Sequence, residues 1–345
     1  MPIPDDAPAA AAHSVRHLFA RRSLRVPGTR LAAVALPAPT GPRSHWHYWW
    51  QAHYLDCLLD EHERDAGTGA LSEARKLARG IWLRNGGRWR NAYYDDMAWL
   101  ALALQRLDAV DGRRRPRRRV RVLANALRSA HTPDLGGGVY WNTARDYKNT
   151  PSTAPAALFF ARAGETGRAQ ELLDWLREHL FDAGNGLYLD GVKADGRVER
   201  SLHTYNQGTV LGALVAVGGP HNLRHAAHLA RAVAREVADD DGVLPLAGTG
   251  DAGLFTGILA RYLAQAATAT DDPAAAPIGG SAAAEVRAVL GATAEAVWAG
   301  RRTDGAGMLV FPPRQDGPVS LSSQLQAWMI LEAAGRAGAG QPAAG

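Results

Sequence analysis

From Ser44 onward, apolar residues recur at three- and four-residue spacing, the period of a helix with one buried face. The pattern predicts helices over about 45–63, 70–85, 91–110, 116–130, 150–163, 167–181, 203–217, 221–238, 251–267, 281–299 and 318–336. Glycine and proline punctuate their ends, as at Gly86-Gly87, Gly164, Gly218-Gly219-Pro220 and Gly300. Convincing alternating strands are absent from the sequence. The longest interruptions, around 136–148, 184–200 and 302–317, carry Tyr, Trp, Val and Gly and read as loops or short hairpins set between helices.

Eleven helices in consecutive pairs need an architecture that buries one face of each. A superhelix of repeats would show a fixed sequence period, and none stands out. A closed toroid of helical hairpins instead places aromatic and polar residues together at the N-terminal ends of its inner helices, where they face one mouth. Three segments have this character: Asn91-Ala92-Tyr93-Tyr94-Asp95-Asp96-Met97-Ala98-Trp99, Tyr147-Lys148-Asn149-Thr150-Pro151 and His203-Thr204-Tyr205-Asn206-Gln207-Gly208. The expected fold is therefore all-α, a toroid of helical hairpins.

At 345 residues the chain is long enough for one large core without staples. The single cysteine, Cys57, excludes a disulfide framework or a multi-cysteine metal site. No apolar run approaches the ~20 residues of a membrane span. The net charge of +5 is unevenly spread. Residues 1–43 carry six arginines against Asp5 and Asp6, and the run from Arg113 to Arg121 holds seven more, so the remaining chain is acidic. The run could attract a polyanion, but no aromatics interleave with it, and it reads as a solvated helix start rather than a nucleic-acid site. Residues 1–43, rich in Pro, Ala and Arg, read as a disordered tail, 44–337 as the folded domain and 338–345 as a flexible C-terminus. The apolar stretch Leu31–Leu36 is too short and too late for a secretory signal. A cytoplasmic location is expected on that ground, or a secreted one if the start is mis-assigned.

The strongest chemistry lies in the first segment, where Asp95 and Asp96 enter the apolar run Met97–Ala103. Carboxylates in a first helical turn are common simply because they complement the macrodipole and the free N–H groups. That role leaves the company of Asn91, Tyr93, Tyr94 and Trp99 unexplained. Planar rings beside paired carboxylates are how proteins hold a sugar next to an acid and a nucleophile.

The stretch from Tyr93 to Ala103 resembles a signature of glycoside hydrolase family 76, the endo-α-1,6-mannanases. Gly137–Trp141, Tyr147-Lys148-Asn149, Thr204–Gly208 and Phe255–Leu263 resemble that family's later motifs in the same order. The resemblance spans His45 to Leu331. It implies an (α/α)6 toroid, retention of anomeric configuration, a mannose-containing glycan as substrate, and no metal or other cofactor. It further implies that Asp95 is the nucleophile and Asp96 the general acid/base. Tyr93, Tyr94, Trp99 and Trp141 become candidate sugar platforms, and Asn91, Lys148, Asn149, Tyr205, Asn206 and Gln207 candidate substrate contacts; each has an alternative role in packing, capping or loop bracing. Two positions depart from the family pattern: Thr256, where Lys is common, and Thr153, near an expected Asn. Both shorten polar reach, so subsite preference could differ from that of a mannan-degrading relative.

Other constellations are weaker. His221, His225 and His228 share a helix face without a carboxylate, Ser201 lacks nucleophile-elbow glycines, and Gly136–Gly138 lacks a phosphate-loop context. A carbohydrate-binding protein on the same toroid, or another (α/α)6 sugar-processing enzyme, remains the alternative to the mannanase reading. A monomer is expected.

Overall fold

The computed structural model describes residues 3–37, 46–113, 117–268, 278–305, 307–313 and 319–338. Twelve α-helices occupy most of them: α1 (Ala7–Leu18), α2 (Tyr48–Arg64), α3 (Ala70–Arg84), α4 (Tyr94–Val110), α5 (Arg118–Ala130), α6 (Thr150–Arg162), α7 (Thr166–His179), α8 (Thr204–Val217), α9 (Gly219–Glu236), α10 (Ala252–Ala267), α11 (Gly280–Ala299) and α12 (Leu321–Ala337). The even-numbered helices form an inner ring: α2 packs on α4, and so on through α6, α8, α10 and α12, which returns to α2. The odd-numbered helices form an outer ring, each packed on an inner neighbour.

The sequence explains which helix goes where. α8 reads Thr-Tyr-Asn-Gln-Gly-Thr-Val-Leu-Gly-Ala-Leu, and every residue from Asn206 to Leu214 is buried. An outer helix such as α5 buries only Val120, Leu123, Ala124, Ala126, Leu127 and Ala130, and its arginines face outward or sideways. Close approach within the inner ring depends on glycine. A Cβ on Gly208 would lie 2.6 Å from the Leu259 Cα, and one on Gly257 would lie 2.8 Å from the Gln326 Cα, so neither position accepts a larger residue without separating two helices.

The disordered tail expected over 1–43 is corrected by α1. Ala7, Ala11, Ala12, Val15 and Phe19 are buried, and the helix packs on α12. It is the sixth outer helix, so the ring of hairpins closes by seating the start of the chain against its end. Arg16 adds a link to α2 through Glu61 at 2.6 Å. Residues 38–45 and, apart from Gly338, the expected flexible C-terminus lie outside the described residues.

Between the inner helices runs a buried ionic network. Arg261 of α10 reaches Asp60 at 2.6 Å and Asp56 at 3.3 Å, both on α2. Arg106 of α4 meets the same carboxylates at 3.0 and 2.5 Å, and Arg336 of α12 meets Asp60 at 2.9 Å. Burial opposes ionisation of Asp60, but Arg261 and Arg106 hold its carboxyl well below the ordinary range. Such a network contributes little net stability, yet it ties four inner helices into one register.

The Arg113–Arg121 run is partly consumed in the same way. Arg117 pairs with Asp111 at 2.7 Å and Arg119 with Asp108 at 2.6 Å, while residues 114–116 lie outside the described set. The interruptions expected as local hairpins are only partly local. Strand 147–149 pairs antiparallel with 191–193, which pairs with 198–199, so the sheet joins two loops some forty residues apart.

Candidate active site

The N-terminal ends of five inner helices converge on one cleft of about 320 Å³. α2 contributes Trp49, α4 Asp95 and Trp99, α6 Asn149 at its N-cap, α8 His203 and Tyr205, and α10 Asp251 and Phe255. The loop sheet adds Trp141, Tyr147, Asp190, Lys193 and Glu199. Outward-directed N–H groups of the first helical turns favour negative charge in this cleft.

Asp95 and Asp96 stand in different surroundings. Asp95 accepts from the Trp141 indole Nε1 at 3.0 Å and from the Asp96 backbone N–H at 2.9 Å. Both donors favour its ionised form, but burial outweighs them and pushes the carboxyl up to about 7. Asp96 is raised well above the ordinary range, first by burial and then by the charge of Asp95. The Asn91 amide donates to its Oδ2 at 2.5 Å. The pair therefore shares a proton at neutral pH, and burial together with the charge of Asp95 raises Asp96 the more strongly of the two.

Trp141 reaches Asp95 because its backbone is pinned on both sides. Its N–H donates to the Tyr147 carbonyl at 2.7 Å, and its carbonyl accepts from the Tyr94 N–H at 2.7 Å, which satisfies a free donor of the first turn of α4. Its ring packs on Tyr93 and Tyr147, with centroids 5.3 and 6.2 Å apart.

The structure separates the sequence candidates into three groups. Asp95, Trp99, Trp141, Asn149 and Tyr205 line the cleft, although Asn149 also caps α6 by accepting from the Ser152 N–H at 3.2 Å. Tyr205 packs against Phe255 with the rings tilted and their centroids 4.2 Å apart. Asn91, Asp96 and Tyr93 stand beside the cleft, Tyr93 being 42% exposed. Tyr94, Lys148, Asn206 and Gln207 are buried and differently employed, which corrects their placement as substrate contacts. Tyr94 is a core residue. Lys148 donates to the carbonyls of Thr132, Asp134 and Gly137 at 2.8, 2.5 and 2.6 Å and to the Thr132 hydroxyl at 3.0 Å. It is a clamp on the 132–138 loop, and burial lowers its ammonium to about 8. Asn206 donates to Asp190 at 3.1 Å, and Gln207 brackets the backbone of Tyr188 at 2.8 Å in both directions.

Sequence reasoning missed Trp49, Asp190, Lys193, Glu199 and Asp251. Asp190 accepts from the Tyr147 hydroxyl at 2.5 Å, and Asp251 accepts from the indoles of Trp49 and Trp50 at 3.2 and 2.8 Å. Asp251 at the head of a predicted helix was a legible hint, whereas Asp190 in a hairpin carried none. Thr256 and Thr153 both brace backbone instead of lining the cleft. Thr256 donates to the Pro245 carbonyl at 2.5 Å, and Thr153 accepts from the Val139 N–H at 3.0 Å.

An (α/α)6 toroid whose inner-helix ends hold paired carboxyls among aromatic rings is an architecture suited to glycosidic-bond chemistry. A model of glycosyl hydrolase family 76 matches residues 29–338, and the chain belongs to that family of glycoside hydrolases. Among solved structures it is similar to an α-1,6-mannanase of the same family from Salegentibacter sp. HEL1_6. The two share 28% identity over 96% of this chain and 98% of the other, with a TM-score of 0.83. Inactive variants of that mannanase, with two consecutive aspartates replaced by asparagine or alanine, are known in complex with α-1,6-mannotriose and α-1,6-mannotetrose. A Listeria innocua protein shares the fold, at 24% identity over 96% of both chains and a TM-score of 0.81. No curated protein matches the chain.

Proposed function

We propose that this chain is a retaining hydrolase of α-1,6-mannosidic linkages, with Asp95 as nucleophile and Asp96 as general acid/base. The observation that carries the reading is the asymmetry within the pair. Asp95 accepts two N–H donors that hold its anion in place, and Asp96, beside that anion, retains a proton.

In the first step an Asp95 oxygen bonds to the anomeric carbon as the glycosidic C–O bond breaks. The Asp96 proton passes to the departing oxygen. In the second, Asp96 takes a proton from water, the water oxygen bonds to the anomeric carbon, and the ester to Asp95 breaks, so one water is consumed and both carboxyls return to their starting state. Two displacements on one carbon restore its configuration. Trp99, Trp141 and Tyr205 offer apolar faces to the sugar, and Asp190, Asp251 and Asn149 offer polar atoms to its hydroxyls. The Salegentibacter relative supports the linkage and the pair, since replacing two adjacent aspartates leaves it inactive in complexes with α-1,6-linked oligomannosides.

The test is incubation with linear α-1,6-mannan, following new reducing ends by proton NMR from the first minute. We expect oligosaccharides whose first-formed anomer is α. A β anomer first would reject retention, and binding without release would assign the cleft to a lectin-like protein.

A further inference from the structure

The cleft is not the largest concavity of the protein. A groove of about 800 Å³ lies beside it along α3, the 85–92 loop and α5, within the span of about 300–1,000 Å³ usual for small-ligand sites. Its wall carries two indoles, Trp82 and Trp89, with centroids 6.5 Å apart and Trp82 41% exposed. It also carries three guanidinium groups, Arg88, Arg90 and Arg118. No aspartate or glutamate lines it among the described residues, and none of the three arginines has a carboxylate partner there. This contrasts with Arg75, Arg106, Arg117, Arg119, Arg261 and Arg336, which are all paired.

The loop presenting these groups is built rather than loose. The Asn85 amide donates to the carbonyls of Arg88 and Arg90 at 2.8 and 3.0 Å, and the Trp89 carbonyl accepts from the buried Tyr48 hydroxyl at 2.5 Å. The groove also begins next to the acid. Asn91 lines it and donates to Asp96, whose neighbour Asp95 lines the cleft.

We propose that the groove binds an anionic segment of the glycan substrate, a sugar carrying phosphate. The indoles would stack on sugar faces, and the unpaired guanidiniums would take the phosphate oxygens through two-pronged hydrogen bonds. The identification of the occupant as a continuation of the substrate rests on the proposed mannan hydrolysis. Carbohydrate and charge recognition are thereby divided between two places, a cleft lined with carboxylates and a neighbouring groove lined with arginines. Asp95, Asp190, Glu199 and Asp251 outnumber Lys193 in the first and already take up its N–H groups, so a phosphate is held less readily there than in the second.

The test compares binding of α-1,6-mannotetraose with that of the same tetraose bearing a terminal phosphate, by calorimetry at low salt. The Asp95→Asn/Asp96→Asn variant is used for binding, to prevent turnover. The phosphorylated sugar should bind about tenfold more tightly, an advantage that shrinks as salt is added. Adding Arg88→Ala/Arg90→Ala should remove the advantage, and the same arginine pair replaced in the active protein should leave cleavage of neutral tetraose unchanged. Trp82→Ala serves as a second variant and should weaken both sugars. Equal binding of the two sugars, or an advantage that survives the arginine replacements, would overturn the proposal. So would tighter binding of a single-stranded oligonucleotide at the same arginines. If no neutral mannoside is cleaved but the phosphate advantage appears and disappears as stated, the mannanase reading fails and the anion groove stands.

Discussion

Replacing Asp95 by asparagine should cost the protein stability in acid and win stability back as the pH rises to neutral. In the fold, burial lifts Asp95 from the ordinary 3.8 to about 7. A carboxyl raised in this way favours the folded state fully below about pH 4, where both states hold the proton, and loses that contribution as pH rises through about 7. At about 1.4 kcal/mol per tenfold change in proton affinity, the difference reaches about 4 kcal/mol, and solvent at the open side of the cleft reduces it to about 2–4. Asparagine does not titrate, so Asp95→Asn escapes this loss. It carries a fixed cost instead. The carboxylate accepts from Trp141 and from the Asp96 N–H on separate oxygens, and an amide has one oxygen, so one donor meets an NH2 group at a cost of about 1–3 kcal/mol. The variant should therefore melt below the wild type at pH 4.5 and gain on it by about 3–6 °C between pH 4.5 and 7.5, at about 2 °C per kcal/mol, since about a quarter of the contribution is already lost at pH 4.5. Thermal melts of both proteins across that range are the assay. A melting difference that is the same at both ends would show that Asp95 is not destabilised as an anion, and the division of labour within the pair would lose its physical basis.

Trp141→Phe keeps a ring but removes a donor that lowers Asp95, so the acidic limb of kcat/KM should move to higher pH; an unshifted limb would mean the indole does not steady the anion. Lys148→Met leaves the carbonyls of Thr132, Asp134 and Gly137 without their common donor, and denaturant titration should show a loss of about 2–4 kcal/mol with a fall in kcat as Trp141 loosens. Unchanged stability would remove the clamp. Phe19→Ala should cost about 3–5 kcal/mol because the ring is fully buried at the end of α1, whereas a solvated tail would show no change in the same titration.

The sequence by itself determined the eleven helices from Tyr48 to Ala337 to within a few residues and the position of Asp95-Asp96 at the head of α4, because three- and four-residue periodicity and helix-start chemistry are local properties. It did not reveal α1. Half of what that helix buries is alanine, which carries little hydrophobic signal, and the sequence around it is rich in proline and arginine. Only the tertiary structure decided that α1 closes the ring on α12, more than three hundred residues away. It also turned Lys148 and Gln207 inward onto backbone carbonyls, although their neighbours Asn149 and Tyr205 face the cleft. The same holds for the chemistry of the pair. Asp95 owes its hydrogen-bond donor to Trp141, and both carboxyls feel the charge of Asp251, so their proton affinities depend on burial and on groups brought together from distant parts of the chain. Residue types at a helix start follow from local sequence. The dielectric and charge around them follow from the closure of the toroid.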